Sequence, residues 1–254
     1  MKATHGAERP EVSVVIPVYN EARILEESLT ELVEGLRAEG GSFEIVLAEN
    51  GSRDGTVAVA EALMPTMPEL RVFSYPHPNY GAALREGIFR AAGTFVVCEE
   101  IDIGDLDFHR RALARLRGDE ADLVIGSKTM PGSADVRPWS RRLATRCYNR
   151  VLRATFGFKG TDTHGLKAFR RATLLPIVAA CTVEHDVFAS ELVIRAHRAR
   201  LRVLDLPVHI REKRAPSVDL VRRVPRVARN LAQLVVSVHL QDRDAAPPDD
   251  TGTA

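Results

Sequence analysis

Val12-Ser13-Val14-Val15-Ile16-Pro17-Val18-Tyr19-Asn20-Glu21 starts as an apolar run of strand length, is stopped by Pro17, and ends in polar residues. A near-continuous apolar run, rather than an alternating one, is what a strand buried on both faces requires. Helix-spaced apolar positions follow at Ile24, Leu25, Leu29, Leu32, Val33 and Leu36, with Asn20 placed as a cap and Gly40-Gly41 as the stop. Working outward, residues 43–48 form a second strand, and 51–55 turn into a helix that Pro65 ends. Residues 70–74, 94–98 and 122–126 are further strands, separated by helices around 82–92 and 109–117. Repeated strand and helix predict an α/β fold, Rossmann-like, with a mostly parallel sheet flanked by helices. Such sheets bind ligands at the carboxyl ends of their strands, so chemistry is sought there.

The second half is less regular. Residues 140–156 read as a basic helix carrying Arg141, Arg142, Arg146, Arg150 and Arg153; 189–200 is another helix and 201–210 a strand. Residues 217–240 form a last helical stretch, bent or begun near Pro225. The expected organisation is a polar N-terminus over 1–10, one catalytic-sized domain over 11–216, an amphipathic helical extension over 217–240, and a frayed tail over 241–254.

Composition narrows the function classes. The 254 residues are 45% hydrophobic and 27% charged, an ordinary globular balance. Thirty-five Lys and Arg against 34 Asp and Glu leave +1, which argues against a general nucleic-acid binder. Three cysteines without ligand spacing argue against a disulfide framework or a zinc site and fit a reducing compartment. No stretch reaches the roughly 20 apolar residues of a membrane span, and residues 1–10 lack a signal-like apolar core. A cytoplasmic protein is expected.

Four features fall at strand ends. They are Pro17-Val18-Tyr19-Asn20-Glu21, Glu49-Asn50-Gly51-Ser52-Arg53-Asp54-Gly55-Thr56, Asn79-Tyr80-Gly81 with Arg85-Glu86-Gly87, and Glu100-Ile101-Asp102. Each alone is an ordinary way to end a strand; all four in order within one βα array are more specific. Neither the dinucleotide G-x-G-x-x-G nor the P-loop signature is present, which removes the main support for an oxidoreductase or a P-loop NTPase.

Together with Gly126-Ser127-Lys128, Thr161-Asp162-Thr163-His164-Gly165-Leu166-Lys167 and the basic stretch 211–217, these motifs resemble family 2 glycosyltransferases of the GT-A fold. The likeness is greatest to the polyprenyl-phosphate (dolichyl-phosphate) mannose and glucose synthases and covers residues 11–220. It implies an inverting transfer of hexose from a nucleoside-diphosphate sugar to polyprenyl phosphate, aided by Mg²⁺ or Mn²⁺. By the same resemblance Pro17, Tyr19, Glu21, Glu49 and Asn50 contact the donor nucleoside, Lys128 and Arg211 the diphosphate, and Arg141, Thr145 and Ser217 the acceptor phosphate. Arg142 and Arg146 offer an alternative register, or the helix face is merely solvated.

Glu100 and Asp102 stand where the family has its Asp-x-Asp metal motif. In an extended segment they point to one side, where two carboxylates suit a hard divalent cation. Glu for the first Asp leaves metal preference open, and Asp105 and Asp107 either assist or cap the following helix. Asp186 is either a general base, needed only for a hydroxyl acceptor, or an orienting and capping group. Two rivals remain: a glycosyltransferase with a soluble hydroxyl acceptor, and a nucleotide-sugar-binding module without turnover. In 217–240 the apolar stripe Leu220, Val224, Val227, Leu231, Leu234, Val238 faces the sheet, a second subunit or a membrane surface, with Arg222, Arg226 and Arg229 on another stripe.

Overall fold

The computed structural model describes residues 9–135, 139–210 and 229–238, except for the side chains of 134, 135, 140, 141, 186 and 210. Strands β1 (Val12–Val18), β2 (Phe43–Glu49) and β3 (Leu70–Ser74) alternate with helices α1 (Leu25–Glu39) and α2 (Thr56–Leu63). After α3 (Tyr80–Arg90) the chain crosses to β4 (Phe95–Cys98), α4 (Leu106–Arg117) and β5 (Leu123–Ser127). A two-residue strand β6 (Ala134–Asp135) precedes α5 (Trp139–Phe156), β7 (Lys167–Arg170), α6 (Arg171–Ala180), α7 (Phe188–Arg198), β8 (Val203–Pro207) and β9 (His209–Ile210). Seven strands form one sheet in the order β3-β2-β1-β4-β7-β5-β8, and β6 pairs with β9 in a small second sheet.

Every residue of β1 is buried, as its mainly apolar run requires, and its one polar residue, Ser13, is satisfied by donating from Oγ to Glu44 Oε1 at 2.6 Å. Period two then sends Val14 and Ile16 into a core with α1, α2 and α4, and Val15 into a second core with α3, α6 and α7. Each fully buried aliphatic side chain stabilises the fold by about 1.5–3 kcal/mol before entropy is counted. Gly87 lets α3 press on the sheet: a Cβ there would lie 2.5 Å from Val15 Cγ1. The result is a three-layer α/β molecule of GT-A type.

The sheet is mostly parallel, as expected, and within it β7 runs antiparallel between β4 and β5, pairing Lys167 with both Cys98 and Ile125. Ala168 enters one core and Phe169 the other, so four residues suffice to bridge both layers. Two expectations are corrected. Asn20 does not cap α1, which starts at Leu25; at φ 56° it turns the chain and binds the loop after β2 instead. The segment after β4 is not extended: Ile103 N donates to Glu100 O at 2.9 Å, closing a tight turn that carries both acidic residues.

Residues 229–238 are helical. Leu234 and Val238 are buried and Leu231 packs beside them in the second core. The described part of that stripe therefore faces this chain's own core; Leu220 to Val227 lie outside the described residues. Among the described residues no helix is long and apolar enough to cross a membrane.

Strand order also locates the site. From β1 the chain moves outward through β2 to β3, then returns to the other side of β1 at β4. In open α/β sheets such a reversal places the ligand crevice beyond the carboxyl ends of the strands on either side of it, here β1 and β4.

Candidate active site

One wall of the crevice is two loops bound to each other. Asn20 N donates to Ser52 Oγ at 2.9 Å, Arg53 N to Asn20 Oδ1 at 2.8 Å, and Glu21 N to Thr56 Oγ1 at 2.9 Å. Burial raises the Asp54 carboxyl, but Thr56 Oγ1 donates to it, as do Thr56 N at 2.9 Å and Ala22 N at 3.2 Å, and together these hold it below the ordinary range. Glu49 accepts from Ser52 N, and Asn50 Oδ1 from Asn79 N at 2.6 Å. Short polar side chains at 52, 54 and 56 thus do locally what an extra strand would do, satisfying loop N–H groups without secondary structure.

Pro17 is buried inside β1, past the last β1–β4 pair at Val15 and Cys98, so its missing N–H removes no ladder bond on that side. Tyr19 is 40% exposed at the mouth, whereas Glu21, Glu49 and Asn50 are nearly enclosed. An exposed ring over a rim of fixed polar groups can stack on a planar base while the rim binds ribose hydroxyls.

The floor is the acidic turn. Asp102 is buried and Glu100 half-buried. Burial pushes the Glu100 carboxyl up; Lys128 opposes this, Asp102 and Glu99 add to it, and Lys167 opposes it more weakly. A pair of crowded, desolvated carboxylates is a site that gains from a cation. Among the described residues no three His, Cys, Asp or Glu side chains converge as a metal cage. Two protein carboxylates completed by phosphate oxygens and water are, however, the usual way Mg²⁺ is held beside a diphosphate. Glu100 and Asp102 fit that arrangement. Asp105 is excluded from it, because its Oδ1 caps α4 at Phe108 N (2.9 Å) and its Oδ2 accepts from His209 N (3.1 Å).

The opposite wall comes from β5, β7 and the loop between α5 and β7. Lys128 is half-buried, and its N donates to Asp162 Oδ2 at 3.3 Å; Asp162 Oδ1 accepts from His164 N at 2.9 Å. Lys167 is 3% exposed, donates from Nζ to Gly165 O at 2.7 Å, and has its pKa lowered by burial against the pull of Cys98, Asp162 and Glu100. Sequence reasoning assigned no role to Asp162 or Lys167. Both lie in the 161–167 motif, and β7 carries a cation at each end, Lys167 and Arg170, of which Lys167 is buried.

Behind this wall α5 is fixed by Tyr148 Oη to Ser190 Oγ at 2.9 Å, Ser190 Oγ to Thr163 Oγ1 at 2.8 Å, and Asn149 Nδ2 to Thr161 O at 2.7 Å. Thr145 is half-buried on α5, one turn beyond the position of Arg141. The side chains of Arg141 and Asp186 lie outside the described residues, as do Arg211 and Ser217. The backbone of Asp186 sits in a 3₁₀ turn over His185–Val187, tethered by His185 N to Asn79 Oδ1 at 2.9 Å.

The sequence profile of Glycosyl transferase family 2 matches residues 13–175, more than half of the chain. This chain belongs to glycosyl transferase family 2. Its curated relatives include glycosyltransferase AglD of Haloferax volcanii, 32% identical over 84% of this chain and 35% of the relative. The dolichyl-phosphate beta-glucosyltransferase of Saccharomyces cerevisiae is 26% identical over 83% of this chain and 71% of the relative. The chain thus spans about a third of AglD, and 66% of a Trichomonas vaginalis dolichyl-phosphate beta-glucosyltransferase, ALG5D. A solved structure of glucosyl-3-phosphoglycerate synthase from Mycobacterium tuberculosis, in complex with Mn²⁺, UDP and glucosyl-3-phosphoglycerate, superposes with a TM-score of 0.62 at 19% identity. That match covers 96% of this chain and 83% of the synthase and shows the shared fold. The family 2 profile ends at residue 175, so α7, β8 and the C-terminal helix lie beyond it.

Proposed function

We propose that this family 2 chain transfers a hexose from a nucleoside-diphosphate sugar to a polyprenyl phosphate, with inversion at the anomeric carbon. The observation that carries the reading is the acidic turn, Glu100 and Asp102, in the crevice between β1 and β4 and facing the cations Lys128 and Lys167. The names of the relatives, several of them polyprenyl-phosphate sugar transferases, support the acceptor class. The Mn²⁺ and UDP bound by the structural neighbour support the donor class and a divalent ion.

In this reading Tyr19, Glu21, Glu49 and Asn50 seat the nucleoside, with Pro17 shaping the strand end beneath it. Glu100 and Asp102 hold Mg²⁺ or Mn²⁺, which when bound neutralises charge on the departing diphosphate. Lys128 holds the same diphosphate from the opposite wall, and Arg211 joins it. Arg141, Thr145 and Ser217 receive the acceptor phosphate. That phosphate is already anionic near neutral pH, so no side chain need take a proton from it; positioning and fixed charge supply the catalysis. Asp186 then orients the acceptor. A membrane-resident acceptor also requires contact with the bilayer surface, and the outer face of α5 suits it: Trp139, Leu143 and Val151 are exposed beside Arg142, Arg146 and Arg150.

The test is transfer from labelled nucleoside-diphosphate hexoses to polyprenyl phosphate in detergent, with Mg²⁺ or Mn²⁺. Asp102→Asn is expected to lower turnover at least a hundredfold, on the order expected when a charge-stabilising group is removed, with the melting temperature nearly unchanged. Label appearing only on water-soluble hydroxyl compounds, with loss of turnover in Asp186→Ala, would replace the lipid acceptor by a soluble one. Donor binding without transfer to any acceptor would leave a binding module.

A further inference from the structure

We infer that the buried Glu99–His109 pair is a positioning device for the acidic turn. Glu99 is 2% exposed and His109 fully buried, and Glu99 Oε2 lies 2.7 Å from His109 Nε2. The other carboxylate oxygen, Oε1, accepts from Glu100 N at 2.9 Å. One side chain therefore joins α4 to the backbone of a residue read as a metal ligand. The N–H of Glu99 donates to Val15 O at 3.0 Å, so the anchor is itself fixed to β1. Asp105 closes the far end of the turn by capping α4.

Position 99 lies between buried Cys98 and the turn, where an apolar residue would pack at no electrostatic cost. Burying a carboxylate is unfavourable unless every contact is satisfied. Here both oxygens are used, one on each partner. His109 Nδ1 has no hydrogen-bond partner among the described residues, so the ring is best satisfied with its proton on Nε2, directed at Glu99. A pair kept only to hold α4 on the sheet would not need the second oxygen on Glu100 N. Fixing that N–H fixes the Glu100 Cα and limits where its carboxylate can reach. This matters because Glu is one methylene longer than Asp and has more conformations to lose on binding a cation.

The inference rests on reading Glu100 and Asp102 as metal carboxylates, and two readouts separate the failures. The first is Mn²⁺ binding in the presence of UDP, followed by the electron paramagnetic resonance of free Mn²⁺. Glu99→Leu/His109→Leu removes both polar partners together and is expected to stay folded, yet to bind Mn²⁺ about tenfold more weakly or worse. His109→Gln, which keeps a donor toward Glu99, is expected to bind nearly as the unmutated protein. The second readout is hydrogen exchange over residues 99–105 without metal, in His109→Leu. Faster exchange there, with the rest of the sheet unchanged, is expected. A double variant that binds Mn²⁺ as tightly as the unmutated protein, or unchanged exchange over 99–105, overturns the positioning role. No Mn²⁺ binding by the unmutated protein overturns the metal reading, while the exchange comparison still decides whether the pair holds the turn.

Discussion

Asn79 is 7% exposed, and its side chain makes three bonds: Oδ1 accepts from Ala82 N at 3.1 Å and from His185 N at 2.9 Å, and Nδ2 donates to Glu184 Oε2 at 2.6 Å. One residue thus caps α3 and holds the turn that carries Asp186. Asn79→Ala removes a cap and leaves buried partners unmatched, an expected cost of about 2 kcal/mol. In a domain of this size that is a fall of roughly 4–8 °C in melting temperature, measurable by calorimetry. A change under 1 °C would mean the surrounding groups find other partners. The sequence placed Asn79 in a strand-end motif without marking it as the cap of α3, although Asn ahead of a helical run is a common start signal. The tie to Glu184 was not legible either, because nothing in the chain indicates a contact 105 residues away. Glu99 and His109 went unread for the same reason: each looks like a surface residue until the turn and α4 are packed together. Glu100 and Asp102 were singled out by position after β4, but the alternation expected for an extended segment gave way to a turn.

Among the elements, those with strong periodicity were legible and the short one was not. β1, β2 and α1 carry enough apolar positions to declare their type; the limits of β1 and β2 nearly coincide with the predicted ones, whereas α1 ends where expected but starts at Leu25, later than a cap at Asn20 would give. β7 has only Ala168 and Phe169 between Lys167 and Arg170, too few to distinguish a strand from a loop. Its direction depends on partners on either side, which local sequence does not encode. The junction that seats it is tight: Gly126 N donates to Leu166 O at 2.8 Å, and a Cβ on Gly165 would lie 1.7 Å from Gly126 O. No rotamer relieves a clash with backbone, so Gly165→Ala must push the 161–165 loop away from β5. The expected cost is about 3 kcal/mol, at the upper end for overpacking, seen as a lower urea midpoint. Because Asp162 and Lys128 meet across this junction, donor affinity should fall with stability. Loss of neither would place the strain elsewhere.

At the scale of the molecule, the sheet's carboxyl edge collects the rim of Tyr19, Glu21, Glu49 and Asn50, the acidic turn and the Lys128–Asp162 wall, while α5 sends Leu152 into the second core and leaves its opposite face exposed among the described residues. That helix holds five arginines and no acidic residue, and Trp139 at its start is 70% exposed. Leu143 and Val151 continue the apolar edge, with Arg142, Arg146 and Arg150 along the other. By contrast, the apolar stripe of residues 229–238 is spent on the core, so α5 is the better candidate for meeting lipid. Each arginine near an anionic surface contributes about 1 kcal/mol, hence about 3 kcal/mol for these three before screening. Salt weakens this within a Debye length of about 8–10 Å. Trp139 is the single tryptophan of the chain, so its fluorescence reports this face alone. With vesicles of phosphatidylglycerol at low salt its emission should shift to the blue, and the shift should shrink at high salt. Phosphatidylcholine vesicles should give little. Replacing Arg142, Arg146 and Arg150 by Gln should weaken binding on the order of a hundredfold while leaving Mn²⁺ binding intact, since none of the three lies in the acidic turn. If Trp139 emission does not respond to anionic vesicles at low salt, α5 does not meet lipid, and an acceptor delivered from solution becomes the better reading.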